Sequence, residues 1–222
     1  MPTATSAEAV FDEVGAAYET AFAGLRTQLK SIQWLEHQLE TKKPAKCLDI
    51  GCGTGKPVCS SLAAAGHDVL CIDISQAMIT AAREGVPDAT FQKIDFKDFK
   101  PGPASFDAVT VYFSMIASVT HDDISSAITS IYSWIRPGGV FVFATATVPA
   151  ETRENFTIKW MGKEVVVSDI TADMAVEWIY EAGFEVVRAA ESSFMPKGVE
   201  AGICKDDKVE EEDHVFVYAQ KA

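Results

Sequence analysis

The sequence predicts an α/β fold in which one doubly wound sheet carries helices on both faces. Apolar, β-branched segments alternate with helix-compatible segments along the 222 residues, as expected for strands joined by crossover helices. The first of these segments turns through three glycines into a helix, which is the βα unit that opens a nucleotide site. No repeat, linker or low-complexity segment divides the chain, so a single domain over residues 1–222 is predicted. The first candidate strand starts at Cys47. The six later ones cover residues 68–73, 89–94, 106–112, 140–148, 184–193 and 214–219.

The glycine-rich stretch 47–57 indicates which nucleotide is bound. Gly51, Gly53 and Gly55 read G-x-G-x-G, whereas a dinucleotide fingerprint requires a glycine where Lys56 stands. This disfavours a nicotinamide dehydrogenase. Asp73 ends the next candidate strand about 20 residues later, where a carboxylate accepts both hydroxyls of a ribose.

Composition limits the partners. The formal net charge is −13, and the sequence shows no stripe of basic residues. Both observations argue against a nucleic-acid substrate. Residues 1–9 lack the pattern of a signal peptide and no apolar run is long enough to cross a membrane, so a cytoplasmic protein without a membrane partner is predicted. The five cysteines form no C-x-x-C pair and are expected to be reduced structural thiols, with no metal site.

Asp49-x-Gly51-x-Gly53-x-Gly55 followed by Asp73 resembles the class I S-adenosylmethionine-dependent methyltransferases. The resemblance is strongest to small single-domain members that write this run as LDxGCGTGxP, and it extends from Phe11 to Ala219. It implies a Rossmann-like sheet of seven strands whose last strand is antiparallel. It also implies S-adenosylmethionine as cofactor and methyl transfer to an oxygen, nitrogen, sulfur or carbon atom of a small-molecule acceptor.

The resemblance assigns the cofactor site to the ends of the first four strands and to the N-terminal helix. The cofactor lies along the glycines of the turn. Acidic residues bind the ribose and the adenine, and aromatic residues surround the methionine part. The implied set is Tyr18, Asp49, Gly51, Gly53, Gly55, Asp73, Ile74, Asp95, Phe96, Tyr112 and Phe113.

Two segments are predicted to cover the site. Residues 1–43, largely helix-compatible, would form a lid, in which Tyr18 either closes over the cofactor or packs the helix onto the sheet. Residues 149–168 interrupt the β/α alternation and carry Phe156, Trp160 and Met161, which either cover the acceptor or serve as a structural flap or dimer contact. A monomer or a homodimer is expected.

No general base is evident. Relatives often carry a histidine in the segment matching residues 116–118, where this chain has isoleucine, alanine and serine. His121 follows Thr120 and precedes Asp123, a variant capping box, which favours a first-turn surface position over a catalytic one. Tyr18 is the other weak catalytic candidate. A protein that binds S-adenosylmethionine without transferring methyl, such as a cyclase or a regulatory subunit, therefore stays open as an alternative.

Overall fold

The computed structural model describes residues 6–149, 151–205 and 209–222. The predicted lid over 1–43 and the predicted insertion over 149–168 include residues 1–5 and 150, which lie outside this described part. The α-helices are α1 (Ala7–Val14), α2 (Ala17–Ala21), α3 (Arg26–Leu39), α4 (Val58–Ala64), α5 (Gln76–Gly85), α6 (His121–Trp134) and α7 (Ala172–Glu181). The strands are β1 (Lys46–Ile50), β2 (Asp68–Asp73), β3 (Thr90–Lys93), β4 (Phe106–Tyr112), β5 (Ile135–Thr147), β6 (Phe156–Trp160), β7 (Lys163–Val167), β8 (Glu185–Phe194) and β9 (Glu212–Gln220).

Seven of these strands form one sheet in the order β3-β2-β1-β4-β5-β9-β8. Neighbours from β3 to β5 are parallel, and β9 runs antiparallel between β5 and β8. The strand order reverses direction between β1 and β4, which opens a crevice at the carboxyl edge of the sheet. The predicted seven-stranded sheet with an antiparallel last strand is confirmed.

Alternation along the central strands gives each face of the sheet its own core. On β5, Phe141 and Phe143 face the side covered by α6 and α7, while Val140 and Val142 face the side covered by α3 and α4. All four side chains are buried. A strand with both faces covered is apolar at every position, which explains why its pattern is continuous.

Strand β5 begins earlier than the sequence indicated, directly after α6. Residues 136–139, which precede the candidate strand over 140–148, lie within β5, where the register with β4 shifts between Phe106 and Ala108. The Arg136 guanidinium fixes this irregular start by donating to Asp107 Oδ2 at 2.7 Å. Only glycine fits at Gly139, since a Cβ there would lie 2.8 Å from the Asp107 carbonyl oxygen.

The expectation of reduced cysteines is wrong for one pair. Cys59 on α4 and Cys71 on β2 form a disulfide. Helix α4 packs directly on β2, which brings these two buried residues together although nothing in their spacing marks them as partners. Cys47 and Cys52 stay as buried thiols.

The described helices include none with the length and apolar character needed to span a bilayer.

Asp49 is the one acidic residue that the described sheet buries within its core face. It lies on β1, 2% exposed, and its Oδ1 accepts a hydrogen bond from Thr110 Oγ1 at 2.6 Å. Burial raises the pKa of Asp49 to about 7, and the bond from Thr110 acts in the opposite direction.

The stability of the unliganded protein should therefore carry a component that falls as the pH rises from about 4 to about 7. Over this range the unfolded chain releases the Asp49 proton while the folded chain keeps it, so the unfolded state binds fewer protons. Asp49→Asn, a neutral side chain of the same shape, should flatten this component. Urea denaturation of both proteins across this pH range is the measurement, and parallel stability curves would contradict the raised pKa.

Candidate functional site

A cavity of about 470 Å³ lies at the carboxyl edge of the sheet, above the point where β1 and β4 diverge. Its volume is within the range of small-molecule sites. Ten of the eleven residues assigned to the cofactor from the sequence line this cavity. They are Tyr18, Asp49, Gly51, Gly53, Asp73, Ile74, Asp95, Phe96, Tyr112 and Phe113.

The glycine turn forms the floor of the cavity. Gly51 has φ +69°, and a Cβ there would lie 1.9 Å from Ser114 Cβ, so β1 and the end of β4 approach each other only because this side chain is absent. Gly53 has φ +53°, and its missing Cβ faces open space. The backbone at Gly53 is therefore accessible to a ligand lying directly on it.

Gly55 is the exception among the predicted residues. It is absent from the described lining of the cavity, and a Cβ there would lie 3.2 Å from Val86 Cγ2 and 3.4 Å from Phe91 Cε1. The structure thus places Gly55 where the turn packs against β3 and the end of α5.

Asp73 joins the glycine turn to the next strand. Its Oδ2 accepts from the Gly53 N–H at 2.9 Å, and its Oδ1 accepts from the Ser75 N–H at 2.8 Å. Burial raises the pKa of Asp73, while these backbone donors oppose the shift. A carboxylate has about four lone-pair positions, so Asp73 keeps acceptor capacity toward the cavity.

Asp95 and Phe96 lie on the far wall of the same cavity, after β3. Asp95 Oδ1 accepts from the Lys97 N–H at 2.9 Å, which fixes its loop. On the near wall, the Tyr112 hydroxyl is 2.7 Å from Ser31 Oγ of α3, and burial raises the pKa of Tyr112. Phe113 has φ +56°, an unusual conformation for an aromatic residue, which directs the chain out of β4 at this edge.

Helices α1 and α2 cover the cavity. Tyr18 on α2 stacks on Phe22 with ring centroids 4.5 Å apart and contacts the edge of Phe11. Burial raises the pKa of Tyr18, and the charges of Glu212 and Asp73 add to the effect, so this phenol stays protonated at neutral pH. Of the two readings of Tyr18, the structure places it in the cavity wall.

Charged contacts fasten this cover at both ends. Asp12 Oδ1 accepts from Ser75 Oγ at 2.6 Å and from the Ala77 N–H at 3.1 Å, and the bond from Ser75 is the main cause that lowers the Asp12 pKa. Three ion pairs link the same segment to the sheet and the hairpin: Glu8 with Lys93, Glu19 with Lys56, and Glu13 with Lys163.

A second cavity, of about 490 Å³, adjoins the first. The two cavities share the wall formed by Phe11, Tyr18, Phe22, Phe113 and Ala117. The far side of the second cavity is formed by the hairpin of β6 and β7, which turns at Met161 and Gly162.

The three residues predicted to cover an acceptor lie in different places. Trp160 and Met161 line the second cavity. Phe156 is absent from its described lining, and the Arg153 guanidinium lies over the Phe156 ring, 3.8 Å from the centroid.

His121 lies apart from both cavities, in the first turn of α6. Its Nε2 is 2.8 Å from the Asp169 carbonyl oxygen, and its ring contacts Trp178. The predicted capping box is present: Thr120 Oγ1 accepts from the Asp123 N–H, and Asp123 accepts from the Thr120 N–H. His121 is thus a partly buried first-turn residue that lines neither cavity in the described part of the chain.

Sequence reasoning missed a buried polar pair at the start of β9. Glu212 Oε2 is 3.1 Å from His214 Nε2, and Glu212 Oε1 accepts from Trp160 Nε1 at 3.1 Å. Glu212 lines the second cavity, and the His214 ring packs on Phe113 with centroids 4.6 Å apart. A signal was present: both residues have the inward parity of the apolar positions Phe216 and Tyr218.

The residues of the first cavity fit S-adenosylmethionine. The accessible backbone at Gly53 is a cradle that any side chain would fill, Asp73 keeps lone pairs for ribose hydroxyls, and Asp95 with Phe96 offers a carboxylate beside an apolar ring. The acidic lining also suits a cofactor that carries a sulfonium and an ammonium group.

Residues 47–139 match the family model described as a methyltransferase domain. Among curated proteins, a dTDP-3-amino-3,4,6-trideoxy-α-D-glucopyranose N,N-dimethyltransferase from Streptomyces venezuelae is 32% identical over 130 residues, covering 58% of this chain and 52% of that protein. An S-adenosyl-L-methionine-dependent Diels–Alderase from a Neonectria species is 33% identical over 109 residues, covering 46% and 38%. The chain thus matches about half, or less, of the length of these relatives.

Among solved structures, the [4+2]-cyclase SpnF superposes with a TM-score of 0.67 at 18% identity, covering 98% of this chain and 97% of that one. This likeness is one of fold. Taken with the glycine turn, the acid at Asp73 and the matched family model, it confirms the resemblance that the sequence carried. Residues 47–139 thus match a methyltransferase domain of the class I type, whose cofactor is S-adenosylmethionine.

Proposed function

We propose that the protein transfers a methyl group from S-adenosylmethionine to a small-molecule acceptor held in the second cavity. The observation that carries this proposal is the shared wall: two cavities of similar size meet at five residues, four of them aromatic. The first cavity holds the residues of the cofactor site, and the second has its own mixed apolar and acidic lining. Such a pair fits a reaction between two bound molecules.

In this proposal the cofactor is held by backbone and carboxylate groups. The cofactor lies along Gly51 and Gly53. Asp73 and Ile74 bind its ribose, and Asp95 and Phe96 bind its adenine. Tyr18, Tyr112 and Phe113 surround the methionine part, and Asp49 supports the turn from below. Gly55 acts by packing the turn rather than by lining the cavity.

Bound S-adenosylmethionine supplies a methyl group that is already activated on a positive sulfur, so the tasks of the protein are alignment and exclusion of water. Residues 1–43 and 149–168 serve as covers on either side of the shared wall. Two contacts that hold α1 over the site support this role. Asp12 accepts a hydrogen bond from Ser75, and Glu13 pairs with Lys163 of the hairpin. Trp160 and Met161 enclose the acceptor, while Phe156 supports the hairpin from outside.

The acceptor is a small molecule rather than a nucleic acid. The net charge of −13 is unsuited to a phosphate backbone, and the Streptomyces venezuelae relative is named for methyl transfer to a dTDP-sugar. A cytoplasmic location and a monomeric or homodimeric state stay predictions from the sequence.

The alternative is a protein that uses S-adenosylmethionine without transferring its methyl group. Two observations favour it: no histidine occupies residues 116–118, and the Neonectria relative of this chain is named as an S-adenosyl-L-methionine-dependent Diels–Alderase. A cyclase would keep the cofactor intact through many turnovers, whereas a methyltransferase consumes one cofactor per product.

The test is a metabolite-library assay with S-adenosylmethionine labelled in the methyl group. The label should move to a product, and S-adenosylhomocysteine should accumulate in equal amount. Product formation with unconsumed cofactor would instead establish the cyclase reading.

Asp73→Ala should weaken binding of S-adenosylmethionine while the fold survives. The carboxylate accepts charge-assisted hydrogen bonds worth roughly 1.5–3 kcal/mol each, so the loss should be about tenfold to a thousandfold in Kd. Calorimetric titration measures Kd, with Asp68→Ala at the opposite end of the same strand as the control. Equal affinity in the Asp73→Ala variant and the parent would contradict the ribose assignment.

Trp160→Ala should lower kcat/KM for the acceptor at least about tenfold at saturating S-adenosylmethionine, because burying an aromatic side chain contributes about 1.5–3 kcal/mol. The affinity for S-adenosylmethionine should stay nearly unchanged, since Trp160 lines the second cavity and not the first. Phe156→Ala is the matched control from the same hairpin and should have the smaller effect. If Trp160→Ala transfers methyl at the parent rate, the hairpin is structural.

A further inference from the structure

We propose that the acceptor is an amine, bound as its cation by the carboxylate of Glu212. This inference rests on the proposed function, because it names the substrate class of the second cavity. Its observations are the fixed position of Glu212, the remaining acceptor capacity of its carboxylate, and the sign of the charges around it.

Glu212 is held in place by two side chains. Trp160 Nε1 donates to one carboxylate oxygen at 3.1 Å, and His214 Nε2 lies 3.1 Å from the other. The Glu212 side chain is 20% exposed, whereas that of His214 is fully buried. Since Glu212 also lines the second cavity, its remaining lone pairs face a space that is shielded but open to a ligand.

Two buried polar atoms next to this pair have no hydrogen-bond partner. Of the three such side-chain atoms in the described part of the chain, two are His214 Nδ1 and Ser192 Oγ. Ser192 and His214 are register partners on β8 and β9, so the two side chains emerge on the same face of the sheet. Buried polar atoms are nearly always paired in native proteins, but neither Ser192 nor His214 lines the second cavity. The polar group that faces a ligand in this cavity is therefore the carboxylate of Glu212.

The charges around the second cavity favour a cation. Its described lining includes five acidic residues and one basic residue, Lys159. Asp169 is paired with Arg153. The partly buried carboxylate of Glu212 is paired with neither lysine nor arginine in the described part of the chain, and its neighbour is His214. An anionic acceptor would meet repulsion here, while the net charge of −13 attracts a cation.

The walls fit an apolar body behind the amine. Phe11, Tyr18, Phe22, Phe113 and Trp160 surround the same space, with Phe22 and Trp160 stacked at 6.3 Å between centroids. Aromatic faces also attract a cationic nitrogen. An amine attached to a flat or apolar group therefore satisfies both the carboxylate and the rings.

Glu212 also serves as the proton acceptor of the proposed reaction. An ammonium nitrogen has no lone pair, so it must release a proton before it attacks, and Glu212 is the carboxylate placed to receive it. The new N–C bond then forms as the S–C bond of the sulfonium breaks, with that electron pair staying on sulfur. The proton leaves Glu212 for solvent through its exposed side. His214 is a positioning residue, which holds the carboxylate from beneath.

The experiment compares charged and neutral ligands on protein saturated with S-adenosylhomocysteine. The probes are tryptamine and phenethylamine, each with its neutral N-acetyl derivative, and the readout is Kd by calorimetric titration. The parent should prefer each amine by about tenfold to a hundredfold, the range expected for charge-assisted hydrogen bonds. In Glu212→Gln this preference should fall to about one, while the affinity for the N-acetyl derivatives is retained.

Two variants serve as controls. Glu191→Gln removes the same charge from the opposite face of β8, on an exposed side chain, and should keep the amine preference. Glu212→Asp keeps the charge on a shorter side chain and should retain part of the preference. If Glu212 were only structural, Glu212→Gln would weaken amine and N-acetyl ligands equally, and that result would overturn the proposal.

The outcomes separate this proposal from the proposed function. Absence of an amine preference in the parent overturns the amine assignment even if Glu212→Gln fails to fold. Methyl transfer to hydroxyl, thiol or carboxyl acceptors that is unaffected by Glu212→Gln overturns it while leaving the methyltransferase intact. Amine binding that depends on Glu212, without methyl transfer, supports the cation site and contradicts the methyltransferase.

Discussion

One chain of hydrogen bonds holds the cofactor cavity together. The Gly53 N–H donates to Asp73, the Ser75 N–H donates to the other oxygen of the same carboxylate, and Ser75 Oγ donates to Asp12 of α1. Ser75 also caps α5 by accepting from the Met78 N–H. The glycine turn, the start of α5 and the cover are thus linked through Asp73, which a ligand also reaches.

The aromatic wall between the two cavities separates two electrostatic tasks. On one side, Asp49, Asp73 and Asp95 line the cavity in which we propose that the positively charged cofactor binds. On the other side, Glu212 is fixed by Trp160 and His214. Tyr18 lies in the wall itself, and the charges of Glu212 and Asp73 both reach its phenol. In the proposed reaction, the apolar rings between the carboxylates would keep water away from the wall that the two cavities share and would strengthen the charges on either side.

Much of the cofactor cavity was visible in the sequence because its parts are local. A glycine turn after an apolar strand, an acid at the end of the next strand and a serine before a helix each follow from backbone geometry over a few residues. Ten of the eleven assigned residues consequently lie in one cavity. Gly55 does not, because the direction of a missing side chain depends on which helix and strand pack behind the turn. Residues 185–194 and 212–220 also became neighbours only through pairing across a long connection.

The sequence by itself determined the alternation of strands and helices, the glycine turn with its acid, and the hairpin that interrupts the alternation. These features can be predicted from short windows of sequence. The spacing of apolar residues predicts strands and helices, and the glycines predict the turn. Only the tertiary structure decided that Cys59 meets Cys71, that Phe156 stays outside the second cavity, and that Trp160 meets Glu212. These contacts join residues far apart along the chain or on different elements, and their distances are set by how helices and strands pack, which no local pattern records.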